Sequence, residues 1–345
     1  MEKLPWRSLT ATINFIFNYF NFVMTDQTAN SILITSAGKR VELLLEFKAE
    51  LRKYKPEGKI FAADLNPIMA PACHLADKAF KVSKVIDPEY INELLSICKD
   101  NHIRIVIPTI DTELEVLSQH IQDFRSIGTE VIVSEPKFIR TCRDKRITNI
   151  FFENRGIRIP RPIDPNTPEF PMFAKPYDGS LSTNIHLITS PEYLTHKILS
   201  DSKLMFMEVI DKTEYREFTV DMYYSKDGII KSIVPRERLE IRSGEVNKGI
   251  TRRNYIVQFL KERLEHLPLV KGCICLQLFY RETDNDIVGI EINPRFGGGY
   301  PLSYHAGANY PANIIKEYLL NENLNYNDDW REDTIMLRYD SQVIL

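Results

Sequence analysis

With 345 residues, 43% hydrophobic and 26% charged, the chain has an ordinary globular composition and the length of about two or three packed units. A net charge of −3 supplies neither a basic stripe for nucleic acid nor an acidic tail. The five cysteines are odd in number and form no CxxC pair, which excludes a disulfide frame or a closed zinc site and predicts reduced thiols in the cytoplasm.

The first segment, 1–28, is poorly specified. "ATINFIFNYFNFVM" (11–24) is apolar and aromatic but is interrupted by Asn14, Asn18 and Asn21, and falls short of the roughly 20 residues that span a bilayer. No A-x-A cleavage site follows it. Residues 1–28 therefore read as an extension with no membrane role expected, and Met24 is a candidate start.

From Ser31 the pattern is regular. "SILIT" (31–35) is a short apolar run, "SAGKR" follows, and "VELLLEFKAEL" has helical spacing. "KIFAAD" (59–64), "IRIVIPT" (103–109) and "EVIVS" (130–134) read as further strands, with a helix from Asp111 to about Phe124. Strands alternating with helices predict βαβ units and a parallel sheet, an α/β domain over 29–136. Ligands gather beyond the carboxyl ends of such strands, where Gly38, Asp64, Asp111 and Glu113 lie. Asp64 reads equally well as a turn former. "SAGKR" lacks the glycine fingerprint of a dinucleotide site.

Residues 136–160 read as two helices ending at Gly156, followed by the proline-rich connector "RPIDPNTPEFP". Beyond it the strands lengthen and alternate: "MFAKP" (172–176), "LMFMEVI" (204–210), "EFTVDMYY" (217–224), "IIKSIVPRERLEI" (229–241), "CICLQLFYR" (273–281) and "DIVGIEINP" (286–294). Strand runs joined by turns predict antiparallel sheets in an α+β unit over 137–325, with a small subdomain at about 160–210 and a tail at 326–345.

Period-two alternation puts Val288, Ile290 and Ile292 on one face of the last strand and Glu291 and Asn293 on the other. Gln277 breaks the apolar run of its own strand and is placed to lie alongside. One carboxylate and two amide oxygens suit a hard cation such as Mg²⁺. Pro294 ends the strand, Arg295 offers a planar cation for phosphate oxygens, and Gly297, Gly298 and Gly299 leave room for close backbone approach. Lys175 precedes "PYDGSLS", a serine- and glycine-bearing loop that can cover phosphates. Glu217, Thr219 and Asp221 share a strand face, and Glu208 interrupts the apolar strand "LMFMEVI". Arg236, Arg238 and Lys248 fit a cationic strand pair near phosphates or an anionic substrate. His74, His102 and His305 are isolated, His305 being the one placed nearest the glycines.

The order of these pieces, a βαβ domain, then "RDKRIT", "FAKPYDGSLS", "MEVI", "EFTVD", a strand with Gln277 and "EINPRFGGG", resembles the ATP-grasp superfamily, in particular its carbamoyl-phosphate-synthase-like carboxylate–amine ligases. The resemblance runs over about 31–320. It implies a Rossmann-like pre-ATP-grasp domain followed by an ATP-grasp domain. It implies that Lys145 and Lys175 contact ATP phosphates, that the 178–183 loop with Ser180 and Ser182 closes over them, and that Glu208 with the Val209–Ile210 backbone holds adenine. Glu217 would hold the ribose. Gln277, Glu291 and Asn293 would ligate Mg²⁺ (or Mn²⁺), and Arg295 would stabilise the transferring phosphoryl group. Gly38, Asp64, Arg236, Lys248, Gly298 and Gly299 would border the substrates. The implied activity joins a small-molecule carboxylate to an amine through an acyl phosphate, with a homodimer as a family-level expectation. A dinucleotide enzyme built on 31–135 and a non-catalytic nucleotide-binding module are the alternatives.

Overall fold

The computed structural model describes residues 30–179, 183–242 and 244–345. The extension at 1–28, and Ser180 and Ser182, lie outside the described residues.

The first unit contains β1 (Ser31–Thr35), α1 (Val41–Tyr54), β2 (Ile60–Asp64), α2 (Pro71–Leu75), β3 (Lys78–Lys81), α3 (Glu89–Asp100), β4 (Ile103–Ile107), α4 (Asp111–Gln119), α5 (Ile121–Ser126) and β5 (Glu130–Val131). Its strands form one parallel sheet in the order β3-β2-β1-β4-β5. All five residues of β1 are buried, as expected of a central parallel strand covered by helices on both faces. β3 was not expected. Its four residues, KAFK, begin and end on exposed lysines and carry too little apolar pattern to read as a strand. The helix predicted over 111–124 divides at His120, and only the first two residues of "EVIVS" pair.

The chain order reverses between β1 and β4, so the loops after these strands border a crevice. Glu113 organises both loops. Its buried carboxylate accepts from the Thr109 and Ile110 amides (2.6 and 3.1 Å), Ser36 Oγ (2.8 Å) and the Tyr90 hydroxyl (2.9 Å).

After α6 (Pro136–Arg143) and α7 (Lys145–Glu153) comes a small antiparallel sheet, β7-β6-β8, made of β6 (Met172–Pro176), β7 (His186–Ile188) and β8 (Leu204–Glu208), with the one-turn α8 (His196–Leu199) between β7 and β8. A six-stranded antiparallel sheet follows, in the order β13-β12-β9-β10-β11-β14. It is built from β9 (Arg216–Tyr224), β10 (Ile230–Arg242), β11 (Glu245–Thr251), β12 (Gly272–Arg281), β13 (Asp286–Asn293) and β14 (Ile335–Leu337). α9 (Tyr255–Leu264) precedes β12, and α10 (Tyr300–Ala306) and α11 (Tyr310–Leu319) precede β14.

The two faces of this sheet differ because the strands alternate. Phe218, Val220, Met222, Ile274, Leu276 and Leu278 pack with Ile256, Leu260 and Leu264 of α9 into one core. The other face carries the polar set. The expected alternation of β13 fails at Ile290. Gln277 and Leu278 pair with Glu291 and Gly289, so Ile290 is an extra, bulged residue and is only half-buried, while Ile292 remains in the core.

A second core joins the two units: Ile32, Phe47 and Ile107 pack with Tyr223, Cys275, Phe296, Tyr300, Tyr310 and Ile314. Tyr304 also donates to Glu50 across this junction at 2.7 Å. Beneath the sheet end, Arg236 donates to Asp221 through Nε (2.7 Å) and Nη2 (2.9 Å), both side chains being essentially inaccessible. All five cysteines are buried and unpaired. Among the described residues no helix is long and apolar enough to cross a membrane.

Candidate active site

Strand register places the oxygen donors. Gln277 lies directly opposite Glu291 on the neighbouring strand, and Asn293 lies opposite Cys275 one row along. Asn293 Nδ2 donates to Glu291 Oε1 at 3.1 Å. On the other side Gln277 faces Thr219 and its Nε2 donates to Glu217 Oε1 at 2.6 Å. Arg238 on β10 comes within 3.2 Å of the same Glu217 carboxylate. Glu217, Gln277, Glu291 and Asn293 thus form one polar patch across three adjacent strands.

Two lysines reach this patch from outside the sheet. Asp144 caps α7, and the next residue, Lys145, comes within 3.7 Å of Glu291. Lys145 Nζ also donates to Gly179 O (2.6 Å), and its amide donates to Tyr177 O (2.9 Å). Arg146 lies over the Tyr177 ring, 3.6 Å from its centroid, and Arg143 donates to Asp178 O. The loop after β6 is thereby tied to the start of α7. Lys175 sits on β6 itself, where Met172, Ala174 and Pro176 take the buried positions. Burial pushes the Lys175 ammonium down to about 8; Lys145 pushes the same way, and Glu291 opposes both.

A buried cation near a second cation costs stability unless an anion joins them. The folded value near 8 lies below the ordinary 10.5, so between these pH values the unfolded chain holds more protons and stability rises with pH. At pH 7 the cost is fully present. Lys175→Met is therefore expected to stabilise the ligand-free protein at pH 7 by on the order of 2–3 kcal/mol. That gain shrinks as pH rises from 8 to 10.5. Urea unfolding of both proteins across this range is the measurement.

The donor set fits a hard divalent cation that keeps water or phosphate in its shell: one carboxylate and two amide oxygens, flanked by lysines. No cluster of three or more His, Cys, Asp or Glu able to hold a metal occurs among the described residues.

Beyond β13, Arg295 crosses to the first unit and donates to Asp111 at the start of α4 (2.5 Å), and also to Phe296 O (3.1 Å). Its Nε is buried without a partner. The glycines that follow are required by the protein's own packing. A methyl on Gly297 would come within 2.9 Å of Cys275 Sγ, and one on Gly299 within 2.3 Å of Arg236 Nη1. Gly298 lies between the Glu245 carboxylate (3.1 Å) and Arg40 Nη1 (3.3 Å) by the same measure.

Two expected site residues are placed differently from the sequence reading, and two more already have partners of their own. Arg236 is a correction: locked to Asp221 and inaccessible, it supports the glycine loop from below and does not face a substrate. Lys248 is also a correction, because it is exposed and paired with Glu240 at 2.6 Å near the far end of the β10–β11 hairpin. Asp64 accepts from the Gly38 (2.9 Å) and Asn66 (3.0 Å) amides, so its oxygens hold the first loop, where Gly38 adopts φ +45°. Glu208 accepts from Arg158 Nη2 (2.6 Å) and the Arg161 amide (3.0 Å), leaving the Val209–Ile210 backbone as the freer part of that segment. His305 is exposed on α10, with its ring against Tyr304. The sequence reading missed Arg40 and Glu245. The pattern "SAGKR" held the first in plain view, but a charge in a loop looks solvated until its tertiary neighbours are known.

Comparison with known proteins agrees with this architecture. Residues 32–132 match the model of the PylC-like N-terminal domain. Residues 200–340 match the model described as ATP-grasp in the biosynthetic pathway with Ter operon. Among solved structures, the chain is similar to the biotin carboxylase domain of Hydrogenobacter thermophilus 2-oxoglutarate carboxylase, a dimer in complex with MgADP, ADP and bicarbonate (14% identity, TM-score 0.66, 89% of this chain and 73% of that one). It is similar to Campylobacter jejuni biotin carboxylase (12%, 0.67, 90% and 75%). It is also similar to the ADP complex of N5-carboxyaminoimidazole synthetase from Staphylococcus aureus (15%, 0.64, 89% and 80%). At these identities the likeness is one of fold. No curated protein matches the sequence.

Proposed function

We propose that this chain, whose residues 32–132 and 200–340 match the PylC-like N-terminal and ATP-grasp models, is an ATP-grasp ligase that uses ATP and Mg²⁺ to join a small-molecule carboxylate to an amine. The observation that carries the reading is the convergence on Glu291. Gln277 and Asn293 flank it on the sheet, Lys145 approaches it at 3.7 Å, and its charge acts on Lys175.

In this reading, Gln277, Glu291 and Asn293 hold Mg²⁺, which supplies charge neutralisation for the phosphates when bound. Lys145 and Lys175 bind phosphate oxygens, and the loop at 178–183 covers them. The 209–210 backbone takes the adenine edge, and Glu217 takes the ribose. Arg295, presented at the end of β13, faces the transferring phosphoryl group. ATP phosphorylates the carboxylate, and the amine displaces phosphate from the acyl phosphate, releasing ADP and phosphate. No covalent protein nucleophile is required; these side chains work by alignment and charge. The domains divide at about residues 136/137, with a small subdomain at about 160–210. Buried free thiols suit the reducing cytoplasm, and a homodimer belongs to the same reading.

Phosphate release from Mg·ATP, screened over acid and amine pairs, tests this. Turnover that requires both an acid and an amine supports the ligase. A melting shift with Mg·ATP but no turnover on any pair favours a nucleotide-binding module.

A further inference from the structure

The crevice between the two units holds a charge imbalance that the nucleotide site does not explain. Arg40 ends the loop after β1, and Arg295 lies two residues beyond the end of β13. Arg40 Nη1 lies 3.3 Å from where a methyl on Gly298 would sit, three residues beyond Arg295, and after burial itself Arg295 is the largest influence lowering the Arg40 pKa. Among the described residues the Arg40 guanidinium, with five N–H donors, makes one hydrogen bond, Nη2 to Thr109 O at 3.2 Å. The nearby carboxylates are already engaged. Asp111 pairs with Arg295, and Glu245 pairs with Arg338 at 2.9 Å and Lys39 at 3.6 Å. Around the glycine loop Arg40, Arg295, Arg338 and Lys39 thus stand against Asp111 and Glu245, with Glu291 as a further carboxylate acting on Arg295.

Two independent details point the same way. Arg295 Nε is buried with no acceptor. Gly298 keeps the space beside Arg40 Nη1 and Glu245 open, since a methyl there would crowd both. The location is the topological switch point of the parallel sheet, adjoining the strand end where phosphoryl transfer is proposed.

We propose that Arg40 and Arg295 together seat the carboxylate of the acid substrate, making Arg40 a specificity-determining residue contributed by the parallel-sheet unit. The proposal rests on the ligase reading, which it deepens by naming the group that binds the acid. The planar fork of arginine suits a carboxylate bidentately, and an anion there offsets the mutual repulsion of the two guanidinium groups.

The experiment is thermal melting of the full chain at constant ionic strength, with acetate, glutarate or inorganic phosphate as probes, each with and without Mg·ADP. Wild type is expected to gain stability with a carboxylate probe beyond a chloride control. Arg40→Gln should weaken half-saturation by that probe about ten- to a hundredfold, while keeping the Mg·ADP shift. Arg40→Lys should recover only part of the carboxylate effect, because it keeps charge without the fork. No carboxylate effect in wild type, or an equal effect in Arg40→Gln, overturns the proposal. Loss of the Mg·ADP or phosphate shift alone would assign Arg40 to nucleotide phosphates and overturn it equally. Absence of any Mg·ADP shift in wild type would instead count against the ligase reading, and the nucleotide-free carboxylate arm would still judge Arg40.

Discussion

Glu291→Ala is expected to lower turnover at least about a hundredfold, the largest loss of activity among single changes in the sheet. The reason is its double role. Glu291 is the one carboxylate of the proposed metal set, with Gln277 opposite and Asn293 beside it. It is also the counter-charge of the site, 3.7 Å from Lys145 and the influence that holds the Lys175 pKa up. Its loss therefore leaves two neighbouring lysines with nothing between them. Nucleotide binding by the variant should weaken at a lower pH than in wild type, because Lys175 loses its proton earlier. Glu291→Asp should retain part of the activity and regain more at high Mg²⁺. Phosphate release measured against Mg²⁺ concentration at several pH values checks all three statements. Full turnover by Glu291→Ala would remove the metal assignment.

Asp221→Ala is expected to cost about 3–5 kcal/mol of stability, the usual result of breaking one side of a buried ion pair. The carboxylate is completely buried and accepts two bonds from Arg236, a third from Ser303 Oγ (2.6 Å), and faces Cys275 Sγ at 3.1 Å. Removing it strands a guanidinium that already has one buried nitrogen, Nη1, without a partner. The melting temperature should fall by on the order of 10 °C. The double variant Asp221→Leu/Arg236→Met should recover most of that loss, since it removes both charges. Its activity should stay low, because Arg236 is what the glycine loop rests on at Gly299. Urea and thermal unfolding of the single and double variants decide this. A single variant melting like wild type would show that the pair contributes little.

What could be read in the sequence follows the range of the interactions. The face of Glu291 and Asn293, and the placement of Gln277 beside them, follow from period-two alternation and from neighbouring strands. The parallel sheet follows from alternating helical and strand patterns. Features set by contacts between distant segments were not legible. The extra residue at Ile290 leaves no mark on the apolar pattern of β13. Arg236 and Arg238 look alike as two charges on one strand; only the fold puts Asp221 under the first and Glu217 beside the second. Arg40 gains meaning from Arg295, which lies at the other end of the chain.

The buried cysteines give the folding of this protein a built-in chemical readout. A thiol reacts as its thiolate, and burial drives Cys73 up to about 11, Cys98 up to about 12, and Cys142 and Cys273 higher than usual. An alkylating reagent can thus modify the native chain only when the surrounding segment opens. Cys73 and Cys98 report on helices α2 and α3 of the parallel-sheet unit, Cys142 on α6 between the units, and Cys273 and Cys275 on β12, the strand that carries Gln277. Mapping which cysteine sulfurs are alkylated first would order the local openings of the molecule without an engineered probe site.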